Sequence, residues 1–189
     1  MGCGTGNVLR ALEEACADGQ VVGADLFDEG LSVARQRVRC ALVQTDVRAF
    51  AFDQPFDVVG VFDVIEHLED DRAVLRDLHR ATKPGGGLLV TVPAYPALWS
   101  YFDEAAKHCR RYRPRELREK LTEAGFTVEY LSPFMSVLAP LVWLGRKCNS
   151  GGERSHSERV GKELEIRPGV NSLLKALLAI ARRPGDTAC

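Results

Sequence analysis

Short apolar runs rich in β-branched residues alternate along this 189-residue chain with segments whose apolar residues recur at helical spacing. That alternation is the signature of a parallel sheet flanked by helices, so the expected fold class is α/β. The runs span residues 21–24, 41–43, 57–62 (DVVGVF), 87–92 (GLLVTV) and 126–131. Between them, Val8, Leu9, Leu12 and Cys16 share one helical face, Leu31, Ala34 and Val38 another, and Val74, Leu75 and Leu78 lie within a helix over 71–82. Lys83, Pro84 and three glycines then break the pattern. A last helix is expected over 114–124, opened by Pro114 at its first position and stopped by Gly125.

The chemistry gathers at strand ends. Gly2-x-Gly4-x-Gly6 opens the first helix, and Asp25 closes the next strand. A glycine turn lets the backbone approach a ligand, and an acid at that distance can accept hydrogen bonds from ribose hydroxyls, which together describe a nucleoside site. The plain alternative is a tight turn into a helix. A dinucleotide fingerprint would place Gly or Ala at position 7, where Asn7 stands, so a nicotinamide-dependent oxidoreductase is the disfavoured reading.

With its G-C-G-x-G run the chain resembles the class I S-adenosylmethionine-dependent methyltransferases, and later residues agree with that family from 2 to about 131. The resemblance implies a Rossmann-like parallel sheet, S-adenosylmethionine as cofactor, and methyl transfer to a small-molecule acceptor, anionic or lipid-linked. By the same resemblance Gly2, Cys3, Gly4 and Gly6 form the cofactor loop, and Asp25 with Leu26 holds the ribose. Asp46 and Val47 would line the adenine, and Phe62 and Asp63 would border the methionine end. KPGGGLLVTVP matches the family's turn and fifth strand. The family's first strand and its acid would precede the glycine loop, where only Met1 stands, so the expected sheet lacks its first strand. The alternative function is accordingly a truncated, non-catalytic fragment or interaction module.

Asp63, Glu66 and His67 form a D-x-x-E-H run at a strand's carboxyl end, where open α/β sheets bind ligands. His67 is a candidate base there, and the plain reading is a polar start to the following helix. A related group acting on ubiquinone precursors has a similar E-x-x-E-H run that looks metal-linked. With Asp63 in first place, no metal is expected here.

A cap is expected as an insertion over about 94–124, within a core over 1–147. Seven bases against two acids lie between Lys107 and Lys120. They read either as a solvated helix face or as a clamp in which Arg110 and Arg111 hold a phosphate or carboxylate of the acceptor. Trp99 and Tyr112 would wall the acceptor pocket, and His108 is the better candidate base.

Residues 148–189 read as a polar linker and an amphipathic helix over 171–183. An apolar helix over 135–147 allows peripheral membrane contact. No run reaches the roughly 20 apolar residues of a spanning helix, and no secretory leader is seen, so a cytoplasmic setting is expected. The net charge of −1 creates no global field, and no nucleic-acid partner is expected. The six cysteines show no C-x-x-C pair and are expected to be free, mostly buried thiols. Oligomeric state is left open.

Overall fold

The computed structural model describes residues 1–16, 18–49 and 55–133. The chain alternates α1 (Asn7–Ala15), β1 (Val22–Asp25), α2 (Asp28–Ala34), β2 (Ala41–Gln44), β3 (Phe56–Phe62), α3 (Asp71–Arg80), β4 (Thr82–Thr91), α4 (Tyr101–Ala105) and α5 (Pro114–Glu123). Short 3-10 turns follow β2 and β3, at Val47–Ala49 and Ile65–His67.

β1 runs parallel to β2, with Asp25 opposite Gln44, and β3 runs parallel to β4, with Phe62 opposite Thr91. The described strands thus form two parallel pairs. Residues 1–3 run between them. The Met1 amine donates to the Gly60 carbonyl at 2.7 Å, Phe62 N–H donates to the Met1 carbonyl at 3.3 Å, and Cys3 N–H donates to the Ala24 carbonyl at 3.1 Å. The α/β class holds, and the strand ends that carry Asp25 and Phe62 flank the glycine loop.

The core gathers on one face of β3. Val59 and Val61 alternate inward and join Val74, Leu75 and Leu78 of α3, Ile65, and Leu117 and Leu121 of α5. Full burial of each such side chain stabilises the fold by about 1.5–3 kcal/mol. α3 starts where the Asp70 carboxylate accepts the Ala73 N–H at 2.9 Å, satisfying one of the helix's free amides. α5 begins with Pro114 and ends before Gly125, whose φ of 105° suits a helix stop.

Several expectations need correction. The third helix ends at Arg80, and Thr82 already pairs with Phe56. The Lys83-to-glycine breaker therefore lies inside β4 as an irregularity before Gly87 pairs with Val58, with Lys83 held to the Asp57 carboxylate at 2.9 Å. Residues 126–131 form no strand. Phe126 N–H bonds back to the Leu121 carbonyl, and Phe126, Val128 and Leu131 pack on the core as an extended tail. In α1 only Leu9 is buried, while Val8 and Cys16 face outward. Cys3, Cys16, Cys40 and Cys109 are free as expected, but none is buried.

Residues Met1–Pro96 and His108–Leu131 form one compact unit, and Ala97–Lys107 belong to a second, where Ser100 and Asp103 close a capping box on α4. The helices expected over 135–147 and 171–183, the membrane contact, the linker and the boundary at 147 lie outside the described residues. Among the described residues no helix is long and apolar enough to cross a membrane.

Candidate nucleoside-binding and acceptor site

The glycine loop is held by its backbone. Gly2 sits at φ 69°, and a Cβ there would stand 2.4 Å from Val64 Cγ2 and 2.6 Å from the Phe62 carbonyl oxygen, so only glycine lets the loop lie this close to β3. Gly4, at φ 49°, is the reverse case: a Cβ would enter open space, with nothing within 4 Å. The Gly4 backbone itself meets Asp25. Gly4 N–H donates to Asp25 Oδ2 at 2.7 Å and Phe27 N–H donates to Oδ1 at 3.0 Å. Each carboxylate oxygen keeps a lone pair for a further donor. Gly6 caps α1 without a side-chain bond, and Arg37 ties the outer side of the loop by donating to Thr5 and Asn7. Partial desolvation, with the Asp25 charge beside it, pushes the Cys3 thiol up from its ordinary value.

Leu26 and Phe27 stand beside Asp25 at 47% and 65% exposure, apolar surfaces flanking the loop. Phe27 is absent from the sequence reading. Its signal was an aromatic placed two residues past the strand-end acid, outside the helical face.

At Asp46, expected to line the adenine, Arg48 makes three side-chain contacts of 2.5–3.0 Å to the carboxylate, and these hydrogen bonds hold it below its ordinary pKa. Val47, expected to line the adenine, has its side chain in the core. The start of the 3-10 turn drives it inward. At the end of β3, Phe62 is half-buried, and the exposed Asp63 accepts from Thr91 Oγ1 at 3.2 Å.

The turn after β3 sorts its residues by depth. Glu66 is fully buried and His67 exposed. Neither Glu66 carboxylate oxygen has a hydrogen-bond partner, and burial pushes its pKa up to about 7. The segment after α4 docks here, with Cys109 N–H donating to the Glu66 carbonyl at 2.7 Å. His108 is thereby brought edge-on to His67, ring centroids 4.8 Å apart at 78°. The two candidate bases, 41 positions apart in the chain, form one pair. With Glu66 they make a set of ligating atoms lying within 4.8 Å of one another, which could hold a metal ion.

The two arginines expected to clamp the acceptor make bonds within the chain. Arg110 Nη1 reaches Asp71 Oδ2 at 3.1 Å and Nη2 donates to the Glu69 carbonyl at 2.8 Å, while Arg111 donates to the Ala94 carbonyl at 3.2 Å. Tyr112 walls no pocket. It is 1% exposed, and its hydroxyl donates to Asp71 Oδ2 at 2.6 Å. Lys120 reaches the same oxygen at 2.5 Å. Burial alone would raise the Asp71 pKa, but hydrogen bonds from Lys120 and Tyr112 outweigh it and hold the group below its ordinary value. Burial, then Asp71, push the Tyr112 phenol up. Asp71 and Lys120 were missed by the sequence reading because nothing in their spacing announces a buried charge. Trp99 lies in the second unit at 40% exposure.

A family profile described as a methyltransferase domain matches residues 1–131. The chain is 32% identical over 125 residues to the trans-aconitate 2-methyltransferase of Azoarcus sp. BH72, covering 66% of this chain and 47% of that protein. It is 32% identical over 123 residues to a ubiquinone biosynthesis O-methyltransferase of Idiomarina loihiensis, covering 61% and 50%. The chain thus spans about half the length of the curated relatives it matches. In fold it is similar to an S-adenosylmethionine-dependent methyltransferase from Mesorhizobium loti, with TM-score 0.57, 22% identity, and coverage of 75% and 81%.

Proposed function

This chain belongs to the methyltransferase domain family, and from that premise we propose that it transfers a methyl group from S-adenosylmethionine to a small-molecule acceptor. The observation that carries the reading is the Asp25 carboxylate at the glycine loop, whose two oxygens are already oriented by the Gly4 and Phe27 N–H groups. A cofactor with a ribose diol fits the acceptor oxygens of Asp25 and the close backbone of the glycine loop, so the residues present suit the group.

When bound, S-adenosylmethionine supplies an electrophilic methyl on a sulfonium sulfur. The chain's own residues do the rest. Gly2, Gly4 and Gly6, with Cys3, keep the loop close enough to cradle the ligand. Asp25 accepts from the ribose hydroxyls, and Leu26 and Phe27 cover an apolar flank. Asp46 stands at the adenine side, kept ionised by Arg48. Phe62 and Asp63 border the methionine end. Orientation of this kind is the main protein contribution to a displacement. The His108 and His67 pair, with ring centroids 4.8 Å apart, is placed to take the proton of an oxygen or nitrogen acceptor. The names of the relatives support a small-molecule acceptor.

The test is titration calorimetry of the full chain with S-adenosylmethionine. One site is expected, and Asp25→Ala weakens it by about tenfold to a hundredfold, as hydrogen bonds to a charged group require. Asp25→Asn, which keeps an acceptor for Gly4 N–H, guards against a collapsed loop. No binding to the folded chain, or unchanged affinity in both variants, would overturn the reading.

A further inference from the structure

We propose that Asp71 is a positioning residue for the transfer reaction: through Arg110 and Tyr112 it fixes the strap 108–112, and with it the His108 ring, against the turn that carries His67. The proposal rests on the base role given above to the histidine pair and adds to it a carboxylate from the core.

The strap is stitched to the turn by local bonds. Cys109 N–H donates to the Glu66 carbonyl at 2.7 Å, the Cys109 thiol to the His67 carbonyl at 3.4 Å, and Arg110 to the Glu69 carbonyl at 2.8 Å, while the Tyr112 hydroxyl lies 3.2 Å from the Ile65 carbonyl. All these acceptors belong to residues 65–69, so the bonds hold strap and turn to each other. Asp71 adds a different tie. It is the first residue of α3, whose Val74, Leu75 and Leu78 sit in the core. Its Oδ2 takes the Arg110 guanidinium at 3.1 Å, the Tyr112 hydroxyl at 2.6 Å and the Lys120 ammonium of α5 at 2.5 Å. One oxygen thus refers the strap to two packed helices. His108 precedes Arg110 closely and His67 precedes Asp71 closely, so short stretches of chain on either side of that oxygen set the ring separation of 4.8 Å.

Stability does not account for the network. Taking charges out of water costs about as much as their pairing returns, and well-packed apolar residues in their place are close to neutral. What an apolar pair does not supply is direction. An oxygen that accepts from a guanidinium and a phenol holds them within a few tenths of an ångström, whereas leucine packing tolerates a sliding strap. A base must stand within hydrogen-bond reach of the proton it removes, so a loosened strap lowers turnover without lowering cofactor affinity.

The test is NMR on the full chain at fixed neutral pH, without cofactor or acceptor; the calorimetry above tests the transfer reading separately. Two readouts report the strap: the exchange rate of the Cys109 amide, and the displacement of the His108 imidazole line when His67→Gln removes the neighbouring ring. In Asp71→Leu with Lys120→Met the core stays packed, yet the Cys109 amide is expected to exchange at least about tenfold faster and the displacement to vanish, while the Val61 amide of β3 is unchanged. Asp71→Asn with Lys120→Met keeps an acceptor oxygen for Tyr112 and Arg110 and is expected to restore both readouts. Arg110→Met, at a partly exposed side chain, is expected to speed Cys109 exchange about threefold, and it decides the matter should the Asp71→Leu pair fail to fold. Wild-type exchange and displacement in the folded Asp71→Leu pair, loss of both readouts in the Leu and Asn pairs alike, or unchanged exchange in Arg110→Met would overturn the positioning role.

Discussion

Replacing Asp71 tests the account of the 108–112 segment most directly. Asp71 Oδ2 accepts from Lys120, Tyr112 and Arg110 at 2.5, 2.6 and 3.1 Å, and the Asp71 and Lys120 side chains are 2% and 7% exposed. Removing one partner of a buried charge network costs about 3–5 kcal/mol, because the remaining charge is stranded. Here each donor keeps a second acceptor: Glu116 for Lys120 at 3.1 Å, the Ile65 carbonyl for Tyr112 at 3.2 Å, and the Glu69 carbonyl for Arg110 at 2.8 Å. The loss for Asp71→Ala therefore falls at the lower end, about 3 kcal/mol. In a chain of this size that is about 6–12 °C of Tm, read by thermal denaturation. Asp71→Leu combined with Lys120→Met recovers most of it, since well-packed apolar replacements of a buried pair are close to neutral. The Asp71 pKa is depressed, so its contribution is complete above the ordinary value of 3.8 and is lost as pH falls through the lower folded value. The gap between wild type and Asp71→Asn is thus level from neutral pH down to about 4 and closes only below it. A Tm change under about 2 °C for Asp71→Ala, or a gap that closes already between pH 7 and 5, would refute the reasoning.

Two glycines extend the predictions. Gly2→Ala meets the Phe62 carbonyl and Val64 at φ 69°, and is expected to weaken S-adenosylmethionine binding more than about tenfold in calorimetry while the core still melts cooperatively. Gly125→Ala, at φ 105° with the His79 ring 2.9 Å from the added Cβ, is expected to cost about 2 kcal/mol, seen as a lower urea midpoint, with cofactor affinity unchanged.

The parallel α/β architecture, the glycine loop and the strand-end acid were legible because each rests on local rules. Alternating apolar runs make strands, helical spacing makes α3 and α5, and the φ values at Gly2 and Gly4 are ones that glycine reaches freely. Asp25 could be placed because a strand's last residue points its chemistry at the loop beside it. Other features were hidden because they depend on partners far away in the chain. Thr82 joined β4 only because Phe56 offered a ladder, and the 126–131 run stayed unpaired because no described strand did. Arg110 and Tyr112 read as surface and pocket residues until Asp71, about 40 positions earlier, claimed both. The chain order alone thus determined the fold class and set a glycine loop beside a strand-end acid. Tertiary packing alone decided which charges are buried and paired, and brought His108 to His67 above an unpartnered Glu66. Burial and charge compensation are properties of the folded interior, and periodicity along a chain does not encode them.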